Sequence, residues 1–147
     1  HLSFLTVDLG MLNKFEINLL VVHCSDTPDD SNLNARDIHK MHLDFGWDGI
    51  GYHKIICRNG SIENGRPEYW TGAHTFGKNK ESLGVCLIGR TLFTDEQFNS
   101  LKIILKKWKN DYPFAKIKGH SESIKTNKTC PNFNVQEWCY KNNLLIK

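Results

Sequence analysis

The segment Gly119 to Phe133, GHSESIKTNKTCPNF, places a histidine, a lysine and a cysteine-proline pair in one turn-rich stretch. A thiolate and an imidazole are good zinc ligands, so His120 and Cys130 supply two of the three protein ligands that a catalytic zinc site needs. The third candidate is His23, far upstream in VVHCSDTP. Nine residues separate His120 from Cys130, unlike the tight paired spacing of zinc fingers. The layout suits a site assembled by a whole fold, with one open position on the metal.

The elements before the hairpin follow from local patterns. Residues 17–23, INLLVVH, combine leucine with β-branched residues and precede a Ser-Asp-Thr-Pro turn, which predicts a central strand with His23 at its carboxyl end. Asn34 can cap a helix over residues 35–45, which Gly46 ends. The helical spacing predicts that its buried face consists of Ile38, Met41 and Phe45.

A hairpin is predicted around Asn59-Gly60, and Tyr52 begins its first strand. The continuous apolar run LGVCLIG at 83–89 indicates an interior strand. Thr94 and Gln97 have the form of a capping box for a helix over 95–110, with an apolar stripe of Phe98, Leu101, Leu105 and Trp108.

A short strand near 115–118 leads into the His120 turn, and Asn134 with Glu137 can cap a last helix over 135–142. Strands alternate with helices, but a hairpin cannot be parallel. The pattern therefore predicts a single α/β domain with a central mixed β-sheet flanked by helices.

Bulk properties fit one soluble domain. The chain has 147 residues, 39% of them hydrophobic and 24% charged, and it contains no apolar run near the ~20 residues of a membrane span. A net charge of +3 is weak evidence for nucleic-acid binding, and it would suit binding to an anionic polymer such as cell wall equally well. Five cysteines form no obvious pairing pattern, which favours a reducing origin. A monomer without a membrane partner is the expectation.

The first ten residues, HLSFLTVDLG, precede Met11 and lack the basic start and small-residue cleavage site of a secretory signal. We expect residues 1–10 to be a non-native or disordered extension and residues 11–147 to form the domain. A protein without an export signal would reside in the cytoplasm of the producing cell.

Several short motifs occur in one order along the chain. They are VVHCS at 21–25, GW at 46–47, GYHKII at 51–56, RNGSIENGR at 58–66, GAH at 72–74, SLGVCLIG at 82–89, GHSE at 119–122 and KTCPNF at 128–133. Any one of them is weak evidence, but the ordered set is specific. From about Val21 to Trp138 the chain resembles the type-2 family of zinc-dependent N-acetylmuramoyl-L-alanine amidases, in particular the amidase-type lysozymes (endolysins) of T-odd phages. The family is related in fold to peptidoglycan recognition proteins.

The resemblance implies that His23, His120 and Cys130 bind Zn²⁺, with water as the fourth ligand, and that Tyr52 and Lys128 are the catalytic residues. The family cleaves the amide between N-acetylmuramic acid and L-alanine in peptidoglycan. Zinc lowers the pKa of its bound water toward ~7 and polarises the amide carbonyl. A tyrosine hydroxyl could orient that water or relay its proton, and a lysine could stabilise the charge that develops on the carbonyl oxygen.

Other histidines, cysteines and acidic residues near the motifs are mostly expected to have structural roles. Strand alternation predicts that Cys24 is a core residue and that His53 is structural or partly exposed. His74 lies in a loop that matches a substrate-groove loop of the family, so it is either a possible substrate-binding residue or an ordinary surface histidine. Glu122 is expected to hold the His120 turn. The remaining candidates are interpreted as structural: His39 and His42 as helix residues, Cys57 and Cys86 as buried hydrophobes, and Cys139 as inert.

Three alternatives remain beside a phage-type endolysin that acts on the cell wall after release. The chain could be a peptidoglycan-binding module without catalysis, but the metal ligand Cys130 argues against that. It could be a cytoplasmic amidase that recycles anhydro-muropeptides, although those enzymes use an aspartate at the Cys130 position. The resembling phage lysozymes also inhibit a phage-type RNA polymerase, which makes such a polymerase a further possible partner.

Overall fold

The computed structural model describes residues 10–145 of the chain. Its strands are β1 (Leu19–Cys24), β2 (Lys54–Ile56), β3 (Ile62–Asn64), β4 (Ser82–Leu87) and β5 (Lys116–Gly119). Its α-helices are α1 (Ala35–Asp44), α2 (Asp95–Asp111), the short α3 (His120–Ser123) and α4 (Val135–Lys141), and two 3₁₀ turns cover Lys14–Glu16 and Asn79–Glu81.

The five strands form one mixed sheet in the order β3-β2-β4-β1-β5. Strand β1 pairs in parallel with both β4 and β5, β2 pairs in parallel with β4, and β3 pairs antiparallel with β2. Every residue of β1 and β4 is buried, as expected for strands covered on both faces. The predicted α/β fold with a mixed sheet is confirmed.

Two apolar clusters cover the two faces of the sheet. The larger cluster joins alternate strand residues such as Val22 and Ile56 to Leu101 and Trp108 of α2. The smaller one joins Ile55 to Ile38 of α1. Neighbouring strand residues point to opposite faces, so α1 and α2 lie on opposite sides of the sheet. His23 follows Val22 and therefore points to the α1 side.

Helix α1 has the predicted cap but a different buried face. Asn34 accepts the N–H of Asp37 in a capping box, and Ile38 is buried. The prediction that Phe45 is buried was wrong, because its side chain is 62% exposed. Phe45 is the C-cap, and Gly46 with φ of +88° turns the chain away there. His42, one turn after Ile38, takes the buried position at 6% exposed.

The other predicted helices and strands agree with the structure to within one or two residues, whereas the predicted His120 turn contains the short helix α3. Thr94 and Gln97 form the predicted capping box of α2, and Asn134 caps α4. The hairpin turns at the predicted Asn59-Gly60, but regular pairing begins at Lys54 and not at Tyr52. Tyr52 lies outside the paired residues of the two strands, where its backbone carbonyl accepts the N–H of Arg66 at 2.9 Å.

The predicted extension lies almost entirely outside the described residues. Its last residue, Gly10, accepts the N–H of Thr71 at 3.0 Å, and residues 1–9 are not described. All five cysteines are free thiols. In residues 10–145 no helix is both long and apolar enough to cross a membrane.

Candidate metal centre and its cleft

Parallel pairing of β1 with β5 brings two of the predicted ligands together. Val22 pairs with Gly119 in this register, so the next residues, His23 and His120, are neighbours at the carboxyl ends of their strands. The two imidazole centroids are 4.6 Å apart. His120 is the first residue of α3, where the chain leaves the sheet. The adjacency depends on sheet register and not on sequence spacing.

Cys130 approaches the same point from the loop after α3. Its Sγ accepts the backbone N–H of Cys24 at 3.1 Å, and its carbonyl accepts the N–H of Ser121 at 2.9 Å. These two bonds tie the loop to the end of β1 and to the first turn of α3. The thiol therefore lies beside both histidines.

The ligand atoms of His23, His120 and Cys130 lie within 4.8 Å of one another, and no other His, Cys, Asp or Glu joins such a group within residues 10–145. Tetrahedral ligands at zinc bond lengths of about 2.0–2.3 Å are roughly 3.5 Å apart, so small side-chain movements would close the group on an ion. Two imidazoles and one thiolate suit zinc, and the open side faces a cleft. The residues present fit a zinc ion with a free position.

The protonation of these groups favours metal binding by the histidines. Burial, and then the neighbouring imidazoles of His74 and His120, hold the pKa of His23 well below its usual value. Burial and the Lys128 ammonium lower the pKa of His120. A hydrogen bond between two thiols lowers the pKa of Cys24 and raises that of Cys130, as expected when two acids share a proton. Cys130 must therefore lose a proton to bind metal.

Tyr52 packs beside the candidate ligand His23 and lines the same cleft. Its ring centroid is 5.1 Å from that of His23 and 5.4 Å from that of His42. Burial raises the pKa of the Tyr52 hydroxyl well above 10, and the neighbouring Cys86 and Cys130 raise it further. The phenol is therefore a proton donor at neutral pH.

Lys128 is exposed and lines the same cleft. The Lys128 ammonium lies near enough to His120 to lower the pKa of that candidate ligand. The backbone N–H of Lys128 donates to Thr126 Oγ1 at 3.1 Å, which shapes the loop that carries both Lys128 and Cys130.

His74 is buried behind His23 and is not an exposed loop residue. It is 9% exposed, and its Nδ1 is 2.9 Å from His23 Nε2 and 2.9 Å from Thr75 Oγ1. Both ring nitrogens of His74 face protein groups, since Nε2 is 3.4 Å from Ser82 Oγ. Substrate contact by His74 stays a prediction.

The neighbouring candidates have structural contacts. Cys24 is buried, as predicted, yet it also contacts Cys130. His53 is structural but not exposed, because its Nδ1 accepts the N–H of Gly84 and its Nε2 faces Trp70 O at 2.8 Å. His42 Nδ1 accepts the N–H of Gly51 at 2.9 Å. Glu122 accepts the N–H of Gly119 at 2.8 Å and so holds the His120 turn.

A cleft of about 750 Å³ opens over the three ligands. Phe45, Trp47 and Phe76 are exposed aromatic residues on its walls. A second cleft of about 760 Å³ shares no lining residue with it and runs past Arg66 and Trp70. Since the three candidate ligands His23, His120 and Cys130 line the first cleft, that cleft is the candidate active site.

Sequence reasoning missed two polar residues that support the His74 ring behind His23. Thr75 and Ser82 are buried polar residues next to the ring of His74. A signal was present, because Thr75 follows the GAH motif directly and Ser82 opens the SLGVCLIG run. Nothing local, however, indicates that the loop and the strand meet at His23.

Comparison with known proteins gave consistent matches. A family model described as N-acetylmuramoyl-L-alanine amidase matches residues 13–133. The endolysin of Escherichia phage T7 is 37% identical over 134 residues, which are 86% of this chain and 87% of the relative.

Two solved structures share the fold over most of the chain. The endolysin amidase LysCS from Clostridium intestinale URNW is 30% identical with a TM-score of 0.79, covering 91% of this chain and 88% of that one. Bumblebee PGRP-SA is 26% identical with a TM-score of 0.75, covering 89% of this chain and 84% of that one.

Proposed function

The chain belongs to the N-acetylmuramoyl-L-alanine amidase family and is an enzyme of that type, and from this premise we propose that it is a zinc-dependent endolysin. It hydrolyses the amide between N-acetylmuramic acid and the first L-alanine of the peptidoglycan stem. The observation that carries the proposal is the meeting of His23, His120 and Cys130 at the floor of an open cleft.

The proposed site assigns a separate task to each residue. His23, His120 and Cys130 hold the ion, which, when bound, supplies a hydroxide-like nucleophile at neutral pH and polarises the amide carbonyl. Tyr52 keeps its proton because the pKa of its hydroxyl is raised. It can therefore orient the attacking water and donate a hydrogen bond to oxygen.

Lys128 supplies the positive charge that the reaction requires. As the amide carbon becomes tetrahedral, its oxygen gains negative charge, and an ammonium at the rim of the cleft stabilises that charge. In this role Lys128 acts as an electrostatic group and not as a base.

Digestion of a defined muropeptide tests the proposal. Disaccharide-pentapeptide is incubated with the protein, with the protein after chelation, and with chelated protein given Zn²⁺, and products are separated by mass. We expect free disaccharide and a peptide with a new L-alanine amino terminus, lost on chelation and restored by zinc. Binding of the muropeptide without cleavage in the zinc-loaded protein would instead identify a recognition module.

The same assay separates an endolysin from a recycling amidase. Parallel digestion of intact peptidoglycan and of anhydro-muropeptides should show cleavage of the intact polymer. A strict preference for the anhydro form would favour cytoplasmic recycling and contradict action on the cell wall after release. The phage-type RNA polymerase stays a prediction, and a pull-down that recovers no polymerase would remove it.

A further inference from the structure

A line of buried polar groups runs from the backbone to the metal ligand His23. Ser82 Oγ is 2.7 Å from the carbonyl oxygen of Lys78 and 3.4 Å from His74 Nε2. His74 Nδ1 is in turn 2.9 Å from His23 Nε2. Since Ser82, His74 and His23 are all buried, the atoms that face one another along this line must be paired as hydrogen-bond donor and acceptor.

The direction of these hydrogen bonds follows from the end of the line. A carbonyl oxygen can only accept, so the single proton of Ser82 is donated to Lys78. Ser82 Oγ then accepts from His74, which places the proton of His74 on Nε2. His74 Nδ1 is therefore an acceptor, and His23 must donate to it from Nε2. The remaining nitrogen of His23, Nδ1, carries the free lone pair.

Thr75 agrees with this direction. Its Oγ1 is 2.9 Å from His74 Nδ1 and 3.3 Å from His23 Nε2. Thr75 Oγ1 can accept from His23 Nε2–H, which His74 Nδ1 also accepts, so a proton on His23 Nε2 serves both neighbours. The opposite tautomer of His23 would set two lone pairs against each other at 2.9 Å, which is repulsive.

The backbone around His74 is shaped to admit its ring. A Cβ at Gly84 of β4 would lie 2.6 Å from the Cγ and Nδ1 atoms of His74. Asn79 Oδ1 accepts the N–H groups of both His74 and Thr75, each at 2.9 Å. The ring is thus seated on a strand that has no side chain at that position, and its loop is fixed from the other side.

We propose that His74 is a positioning residue that holds His23 in the Nε2–H tautomer and directs its Nδ1 to the metal. The inference rests on the proposed zinc site for the identity of the ion. The tautomer itself is a property of the metal-free protein. Outer partners that orient a ligating histidine typically contribute about 10- to 100-fold to metal affinity.

The test reads the tautomer and the metal affinity separately. Long-range ¹H–¹⁵N correlation spectra of the histidine rings are recorded at pH 7 on metal-free protein, and the zinc dissociation constant is measured by chelator competition. The variants are His74→Phe, His74→Gln and Ser82→Ala. His39→Gln serves as the control, since it removes an exposed histidine that lies in the second cleft.

In the wild type we expect His23 as the Nε2–H tautomer before zinc is added. His74→Phe removes the acceptor and should mix the tautomers and weaken zinc binding about 10- to 100-fold. His74→Gln offers an amide oxygen and should recover part of that loss. Ser82→Ala should release the orientation of His74 with a smaller loss of affinity, and His39→Gln should match the wild type.

Two results would overturn the proposal: His23 as the Nδ1–H tautomer in the wild type, or unchanged zinc affinity in a folded His74→Phe protein. If His74→Phe does not fold, Ser82→Ala provides the test. An unchanged His74 tautomer in that variant would contradict the hydrogen-bonded line from Ser82 to His23. Failure of the amidase function is a separate outcome, seen as a normal tautomer and normal zinc affinity without cleavage.

Discussion

Tyr52 can act as a proton donor because its surroundings keep it neutral. Burial and the nearby Cys86 and Cys130 raise the pKa of its hydroxyl well above 10. Replacing Tyr52 by Phe removes only the hydroxyl and leaves the ring beside His23. We expect kcat to fall about 100-fold or more with zinc content unchanged, because the three ligands remain.

Zinc content and kcat measured on the same preparation of Tyr52→Phe check this role. A variant that keeps wild-type kcat would exclude the hydroxyl from the reaction. Loss of zinc together with activity would instead make Tyr52 a structural support of the metal group.

Lys128 can be compared with a matched lysine of the same loop. Lys128 lines the cleft, whereas Lys125 is exposed and does not. We expect Lys128→Ala to lower kcat about 10²–10³-fold with a smaller effect on KM, as for other groups that stabilise a developing oxyanion. Lys125→Ala should behave as the wild type.

Steady-state kinetics on a soluble muropeptide separate kcat from KM for both lysine variants. If Lys128→Ala raises KM alone, the lysine binds substrate without stabilising the transition state. Equal losses in the two variants would point to the net charge of the loop and not to the position of Lys128.

At the scale of elements, His53 links the start of the hairpin to β4 and to the loop at Trp70. Burial lowers its pKa from 6.5 to about 4. The unfolded chain therefore binds a proton at His53 below pH 6.5 that the folded protein excludes until about pH 4. Stability should be retained above pH 6.5 and fall as the pH drops, by about 3 kcal/mol from His53 alone.

Urea unfolding of metal-free protein at pH 7 and pH 5 measures the part of this loss that falls in that interval, about 2 kcal/mol from His53. His53→Gln is expected to be less stable than the wild type at pH 7 but to lose less stability on acidification. An equal loss between pH 7 and pH 5 in the two proteins would contradict the assignment to His53.

The helices and strands differ in how far sequence could predict them. The α2 helix was predictable because its cap, Thr94 with Gln97, and its apolar stripe are local features. The burial of His42 in place of Phe45 depends on where Gly46 turns the chain and on the N–H of Gly51. The burial of His53 likewise depends on Gly84 and Trp70, which are distant in sequence.

The three candidate metal ligands were chosen from residue type and from the family resemblance, and the fold brings them together. Their supports were not predictable, because the register of β1 against β5 sets His23 beside His120, and the path of the 72–79 loop sets His74 behind His23. The strand register and the loop path are both set by tertiary contacts, which no local sequence pattern indicates.

Across the whole chain, an ion at the proposed site would join segments that are far apart in sequence. His23 is the penultimate residue of β1, His120 begins α3, and Cys130 lies in the following loop. An ion bound only in the folded state stabilises it by mass action, about 4 kcal/mol at free zinc 1,000 times the dissociation constant. For a chain of this size that corresponds to a rise in Tm of roughly 10 °C.

Thermal unfolding with zinc and with chelator measures this rise. An unchanged Tm under saturating zinc would mean that the ion does not bind the native fold. A rise that persists in Cys130→Ala would mean that it binds somewhere else.

The most direct test of the central claim is zinc content together with release of L-alanine amino termini from peptidoglycan, in the wild type and in Cys130→Ala. Cys57→Ala controls for loss of a half-buried thiol outside the site. The account predicts about one zinc per chain and amidase activity in the wild type and in Cys57→Ala, and the loss of both in Cys130→Ala. Wild-type protein that binds peptidoglycan but neither retains zinc nor releases amino termini would contradict it.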